Sequence, residues 1–139
     1  MKNLLSILFF TIMTFGLSSC NKDDETKEKE DKEKVCIYSR PTFVVSVNSP
    51  DTGSVNQGIN IEVNFGVNNG CGRFGRFIET QSGNTRTIDV EAKYDGCICT
   101  LDLPIRTVNY EFIPTQTGNY ELKFKSSPTE FITIYITVN

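Results

Sequence analysis

The sequence predicts an all-β domain, an antiparallel sandwich of about seven short strands with no helix in the mature part of the chain. Apolar and polar side chains alternate with a period of two through most of residues 35–139. This pattern places one face of each strand in a core and the other in water. Clusters of Gly, Pro, Asn, Asp and Ser separate the alternating segments, as expected for turns. Because each strand hides only one face, two sheets must stack.

Five segments show the alternation clearly, and two more are predicted as strands from their composition. In the segment that follows the first long turn, Ile61, Val63 and Phe65 alternate with polar residues. The predicted strands, in chain order, are residues 43–47, 59–67, 74–80 (the weakest), 87–94, 108–112, 120–125 and 132–138. Seven short strands in about 100 residues are typical of a sandwich.

The late part of the chain carries a more specific pattern. Residues 110–124, Tyr-Glu-Phe-Ile-Pro-Thr-Gln-Thr-Gly-Asn-Tyr-Glu-Leu-Lys-Phe, resemble the paired late strands of immunoglobulin-like domains. In that family a Gly-x-Tyr corner opens the second strand. The resemblance implies that Tyr120 is a corner tyrosine whose hydroxyl bonds a nearby backbone group. The chain has no Trp, so the core tryptophan common in the family is missing, which favours a generic sandwich over an antibody-type domain.

The first 19 residues are typical of a leader. Lys2 precedes an almost unbroken apolar stretch, Leu4 to Leu17, and a helix of about 14 residues is too short to cross a bilayer core. Such a segment is typical of a signal peptide. Its end, Leu17-Ser18-Ser19-Cys20, resembles the lipobox of bacterial lipoproteins. The resemblance implies removal of residues 1–19 and acylation of Cys20 by fatty acids such as palmitate, which anchors the chain in a membrane. The alternative is an incidental cysteine beside an ordinary cleavage site.

A charged segment follows the predicted anchor. Residues 21–34 contain five lysines, seven acids and no apolar side chain, so residues 20–34 are expected to form a solvated tether of about 20 Å. Lys22-Asp23-Asp24-Glu25 resembles the export signal of Bacteroidota surface lipoproteins, which implies the outer face of the outer membrane. The alternative is a chance match in a lysine-rich, acidic spacer. Residues 35–139 then make one domain.

Four cysteines belong to this domain: Cys36, Cys71, Cys97 and Cys99. An even number in an oxidising compartment predicts two disulfides. Cys97 and Cys99 lie two residues apart in a predicted strand, with Cα atoms about 6.5–7 Å apart, which excludes that pair. Of the two remaining pairings, we prefer Cys36–Cys99 with Cys71–Cys97, and Cys36–Cys97 with Cys71–Cys99 stays open. The competing interpretation is a four-cysteine zinc site, which the spacing disfavours because such sites usually offer two close pairs.

Two short motifs match other chemistries. Residues 70–75 satisfy Gly-x-Gly-x-x-Gly, but a dinucleotide site needs a helix next, and residues 76–80 predict a strand. We expect a disulfide-pinned turn whose glycines adopt positive φ. Asp51-Thr52-Gly53 matches the aspartic-protease tripeptide without a second copy, although that chemistry needs two carboxylates. The chain has no histidine, so no Cys–His or Ser–His pair can form.

The candidate recognition residues surround the glycine-rich turn. Arg73, Phe74, Arg76 and Phe77 are two cations and two aromatics, which suit contact with a carboxylate, a glycan or a protein. The alternative, which we favour, is that Phe74 and Phe77 close the end of the core while the two arginines are solvated.

These observations predict a surface-exposed outer-membrane lipoprotein that is not an enzyme and acts as a binding or accessory module. We expect attachment to the membrane through the lipid anchor, a protein or glycan ligand, no cofactor and no metal. Eight Lys/Arg against ten Asp/Glu in residues 35–139 argue against a nucleic-acid surface. The alternatives are a purely structural spacer and a small carboxylate-dependent hydrolase, such as a glycosidase with two acids about 5–10 Å apart.

Overall fold

The structure, a computed structural model, describes residues 36–139. The predicted leader, Cys20, the export tetrapeptide and the proposed boundaries at residues 19/20 and 34/35 lie outside the described residues. Residues 36–139 contain nine strands and no helix. The strands are β1 (Ile37–Thr42), β2 (Val44–Asn48), β3 (Thr52–Gly53), β4 (Ile59–Gly66), β5 (Gly72–Ser82), β6 (Thr85–Asp95), β7 (Ile105–Phe112), β8 (Gly118–Lys125) and β9 (Phe131–Val138). The predicted all-β sandwich is confirmed.

The larger sheet is organised around β6. One edge of β6 pairs antiparallel with β5 along residues 85–94. The other edge is shared, because β1 pairs with residues 90–95 and β8 pairs in parallel with residues 85–88. The sheet then continues through β9 to β3. A strand of 11 residues spans about 36 Å, so β6 connects the two ends of the sandwich.

The smaller sheet consists of β2, β4 and β7, in that order. Only Phe43 separates β1 from β2, so the chain passes from the larger sheet to the smaller one within a single residue. The two ladders of the smaller sheet, β2–β4 and β4–β7, are antiparallel.

The core lies between the inner faces of the two sheets, as the alternation predicts. Along β4 the buried residues are Ile59, Ile61, Val63 and Phe65, with solvent-facing residues between them. The other strands contribute Val44, Ile88, Val90, Ala92, Tyr94, Tyr110, Phe112, Tyr120, Leu122, Phe124, Ile136 and Val138. Burying this apolar surface is the main driving force for stacking the sheets.

Two strands were not predicted. Five of the six residues of β1 are exposed, so its side chains show no core-facing alternation. The strand β3 has two residues and lies within Ser49-Pro50-Asp51-Thr52-Gly53, one of the clusters predicted as turns. It pairs in parallel with Thr137 and Val138 of β9. Both strands are held by backbone hydrogen bonds, which the sequence does not display. The ladders β3–β9 and β6–β8 are parallel, where an antiparallel sandwich was predicted throughout.

The predicted tyrosine corner is present. The Tyr120 hydroxyl donates a hydrogen bond of 2.9 Å to the carbonyl of Gln116, four residues upstream. The Tyr120 ring is buried and packs edge-on against Phe112. The side chain therefore ties the connection before β8 to the core.

Replacing Tyr120 by Phe is expected to lower the free energy of unfolding by about 1 kcal/mol, because it deletes this hydrogen bond and keeps the ring. Urea unfolding measures the change. Tyr135→Phe is the matched control, since Tyr135 is 67% exposed and the same substitution there should change little. Equal effects of the two substitutions would contradict a structural role for the corner.

Candidate binding surface

Both disulfides lie at one end of the sandwich. Cys36 bonds Cys97 with 4.9 Å between the Cα atoms, and Cys71 bonds Cys99 with 5.4 Å between the Cα atoms. The prediction of two disulfides is confirmed, and the zinc alternative is excluded because all four sulfurs are used. The preferred pairing, Cys36–Cys99 with Cys71–Cys97, is wrong, and the pairing that was left open is the one observed.

The neighbours of β6 explain the observed pairing. The β1–β6 ladder places Ile37 opposite Asp95, and the amide of Gly96 donates to the carbonyl of Cys36, which brings Cys97 beside Cys36. Cys97 and Cys99 were predicted in a strand, but they lie in the loop after β6. That loop continues to the turn before β5, where Cys99 meets Cys71.

The turn that contains Cys71 is held by several further bonds. Arg106, at the start of β7, donates to the carbonyls of Gly70 and Gly72, at 3.1 Å each. The Asn69 side chain accepts a hydrogen bond from the Cys71 amide. The amide of Gly70 donates to the carbonyl of Thr100. The turn is therefore fixed on both sides, by a side chain from β7 and by the loop that carries Cys99.

The glycines of this turn have a different role from the one predicted. The glycines at positive φ within residues 36–139 are Gly83, Gly96 and Gly118, so the prediction of positive φ in residues 70–75 is wrong. A Cβ on Gly72 would lie 2.5 Å from the Cβ of Val67 and 2.9 Å from the Tyr94 ring. Gly72 is required by close packing. The segment that follows is strand β5, as predicted, so this turn does not open a helix.

Phe74 and Phe77 point into the core. In a regular strand, residues three apart face opposite sides, but the β5–β6 register shifts between Phe74 and Arg76. This bulge turns both rings inward. The two ring centroids lie 4.7 Å apart, Phe74 packs on Phe65, and Phe77 packs on Tyr110. Phe74 and Phe77 thus close one side of the core, the interpretation that the sequence favoured.

The two arginines of the predicted site face solvent. Arg76 makes an ion pair of 3.0 Å with Glu91 on the neighbouring strand, and its side chain is 67% exposed. Arg73 is exposed and lies opposite Lys93 in the β5–β6 ladder. Exposed ion pairs contribute little to stability. The structure therefore separates the four predicted residues into two core aromatics and two surface cations, whose binding role stays a prediction.

A charged cluster that was not predicted joins the two sheets. Glu79 of β5 pairs with Arg86 of β6 at 3.3 Å and accepts a hydrogen bond of 2.8 Å from the hydroxyl of Tyr110 on β7. The Arg86 guanidinium also lies 4.9 Å from the ring centroid of Phe112. The sequence contained a signal for this inward position, because Arg86 lies two residues before Ile88 and therefore on the same face of the strand.

This environment changes the acidity of Tyr110. Burial raises the pKa of Tyr110 to about 12; the hydrogen bond to Glu79 adds to the increase, and Arg86 opposes it. An unfolded tyrosine ionises near pH 10. The stabilisation from neutral Tyr110 is therefore complete below pH 10 and is lost as the pH rises from 10 to 12.

Between pH 9 and pH 11, the free energy of unfolding is expected to fall by about 1 kcal/mol more in the natural protein than in Tyr110→Phe. Urea unfolding at the two pH values measures the difference. Comparison with the variant removes the contribution of all other titrating groups, because both proteins contain them. A pH dependence that is the same in both proteins would contradict the raised pKa.

An apolar surface lies at the disulfide-bonded end and was not predicted. We call residues 98–105, the connection from β6 together with the first residue of β7, the apolar loop. Its aliphatic side chains are highly exposed: Ile98 96%, Leu101 94%, Leu103 74% and Ile105 59%. The sequence shows these residues, Ile-Cys-Thr-Leu-Asp-Leu-Pro-Ile, but the spacing does not decide whether they are buried.

Two concave regions adjoin the apolar loop. A groove of about 250 Å³ is lined by Phe43, Val45, Gly66 and Leu103, among others, and a Cβ on Gly66 would have no atom within 4 Å. A second, open depression of about 510 Å³ surrounds the disulfides and is lined by Cys36, Tyr38 and Asn69, among others. The end of the sandwich thus combines a covalently fixed framework with exposed apolar surface.

The fold of residues 36–139, two stacked sheets with a tyrosine corner, fits an immunoglobulin-like β-sandwich. The family model of the ORF11 beta-sandwich domain matches residues 61–133, more than half of the 139-residue chain. The chain belongs to this family. The comparisons with curated proteins and with solved structures gave no match.

Within residues 36–139, no three or more Cys, Asp or Glu side chains are grouped to hold a metal ion. The same part of the chain has no helix with the length and apolar character to cross a membrane.

Proposed function

We propose that the protein is a lipid-anchored lipoprotein of the outer-membrane surface, a non-enzymatic binding or accessory module. The observation that carries this proposal is Leu17-Ser18-Ser19-Cys20 at the end of the apolar leader. The acylated Cys20 supplies the anchor. Lys22-Asp23-Asp24-Glu25 directs the chain to the outer face of the membrane.

The domain supports this location. It contains two disulfides, and structural disulfides form and persist outside the reducing cytosol. A binding role is supported by the disulfide-bonded end, where exposed aliphatic side chains and the groove over Gly66 lie on a fixed framework. Exposed apolar patches on soluble domains mark interaction surfaces.

Metabolic labelling with a fatty-acid analogue tests the anchor. The natural chain is expected to carry the label, and Cys20→Ser is expected to lose it and to keep residues 1–19. Ser19→Ala is the matched control, because a small residue remains before Cys20 and labelling should persist. An unlabelled natural chain would contradict the proposal.

Protease treatment of intact cells tests the surface location. Replacing residues 22–25 by alanine is expected to protect the labelled protein from added protease, because the chain stays on the inner face. The control replaces residues 27–30, Lys-Glu-Lys-Glu, which have a similar composition outside the export signal. Equal digestion of both variants would show that the tetrapeptide carries no address.

A further inference from the structure

We propose that the apolar loop inserts its aliphatic side chains into the surface of the same bilayer that holds acylated Cys20. The inference deepens the proposed function and rests on its lipid anchor. The loop then binds the boundary between lipid headgroups and acyl chains. Its consequence is a fixed orientation, with the disulfide-bonded end of the sandwich facing the membrane.

The exposure of the loop is the first observation. Ile98 and Leu101 are the most exposed of the large hydrophobic side chains in residues 36–139, at 96% and 94%. The charged residue of the loop is Asp102, whose carboxylate accepts a hydrogen bond from the Thr100 hydroxyl. Phe43 and Val45 extend the apolar surface across the groove. A lipid interface accepts such a surface without any complementary shape.

The loop is also held in place before any contact. Cys99 is bonded to Cys71, the carbonyl of Thr100 accepts from Gly70, and the carbonyl of Pro104 accepts from Val67. The exposed side chains therefore stand on a backbone that is already ordered. Insertion then requires little further loss of conformational entropy.

The position of the loop along the chain selects the bilayer as its partner. Cys97, which immediately precedes the loop, is bonded to Cys36, and Cys36 lies sixteen residues after Cys20. A coil of the length predicted for the tether averages about 20 Å, whereas strand β6 alone spans about 36 Å. Along the chain, the part of the domain that is closest to Cys20 is therefore the disulfide-bonded end, whereas Thr85 lies at the opposite end of β6. Tethering raises the effective concentration of the loop at the lipid surface.

The chain offers a direct reporter, because it has no Trp. In Leu101→Trp, the single indole replaces an exposed side chain of the loop. In the control Tyr135→Trp, the indole replaces a side chain that is 67% exposed. Tyr135 lies opposite Glu121, and Glu121 is the ladder partner of Thr85. The control indole is therefore at the far end of β6. Both acylated proteins are reconstituted in vesicles of phosphatidylethanolamine and phosphatidylglycerol, with and without bromine on the acyl chains.

In the vesicles, the indole emission of the Leu101→Trp protein is expected to shift to shorter wavelength. In the vesicles with brominated acyl chains, most of this emission should be quenched. The indole of the Tyr135→Trp control should stay unquenched. Adding Ile98→Asp and Leu103→Asp to the Leu101→Trp chain should abolish the quenching. Circular dichroism of this variant should be unchanged, because both side chains are exposed.

The contradicting results are distinct. A labelled, vesicle-bound Leu101→Trp protein with unquenched emission would overturn the loop proposal and leave the anchor standing. A blue-shifted emission of the same protein in detergent without vesicles, together with a doubled mass by light scattering, would assign the loop to contact with a second copy and overturn the proposal. A chain that carries no acyl group would overturn the anchor and the loop proposal together.

Discussion

Removing the Cys36–Cys97 bond with the double substitution Cys36→Ser, Cys97→Ser is expected to lower the free energy of unfolding by about 4 kcal/mol. The bond joins residues 61 apart in sequence, so its loss frees a long loop in the unfolded chain. It also joins the start of β1 to the loop after β6. Because the side chains of β1 are mostly exposed, that strand is otherwise held mainly by its backbone ladder with β6 and by the stacking of Tyr38 on Tyr94. Without the disulfide, its amide protons should lose protection from exchange.

The matched control is Cys71→Ser, Cys99→Ser. That bond joins residues only 28 apart, and its loss is expected to cost about 3.5 kcal/mol in the same model. The more informative difference is local, since the control should expose the turn at residues 68–72 and leave β1 protected. Urea unfolding and hydrogen exchange measure both effects. Unchanged protection of β1 in the first variant would show that its ladder with β6 is sufficient.

Replacing Phe77 by Ala is expected to cost about 2–4 kcal/mol, because it removes a ring from a continuous aromatic row in the core. The Phe77 centroid lies 4.7 Å from that of Phe74 and 5.0 Å from that of Tyr110, and Tyr110 in turn packs on Phe124. Phe77 is only half-buried, which places the expected cost in the lower part of this range.

Arg73→Ala is the control for this prediction. Arg73 lies on the same strand, but it is exposed, and its loss should change the free energy of unfolding by less than about 0.5 kcal/mol. Thermal and urea unfolding of both variants measure the difference. A Phe77→Ala protein as stable as the natural one would contradict the core assignment and make Phe77 a candidate ligand contact again.

The parts of the fold that follow from side-chain alternation could be predicted from the sequence. Strands β4, β6 and β8 bury every second residue along most of their length, and β9 does so at its end, so their pattern is visible without a structure. The role of Tyr120 was also predictable, because Gly118 and Tyr120 form the Gly-x-Tyr pattern of a tyrosine corner. Strands β1 and β3 were not predictable, because backbone pairing holds them and their side chains are largely exposed.

The surface at the disulfide-bonded end depends on facts that one sequence does not contain. The pairing of Cys36 with Cys97 requires β1 beside β6, and β1 itself was not predicted. The inward direction of both Phe74 and Phe77 depends on a bulge that the alternation cannot show. The sequence shows the aliphatic residues of the apolar loop but not their exposure, because an aliphatic side chain in a loop is equally compatible with burial or exposure.

In the proposed function, an acylated chain holds an oxidised β-sandwich outside the cytosol. Intact mass spectrometry of the protein isolated from cell envelopes, without reduction, measures both the acylation and the oxidation. We predict a chain that begins at Cys20, carries fatty acyl groups and contains two disulfides. A chain that retains residues 1–19, with an unmodified Cys20 and free thiols at the other four cysteines, would contradict the account.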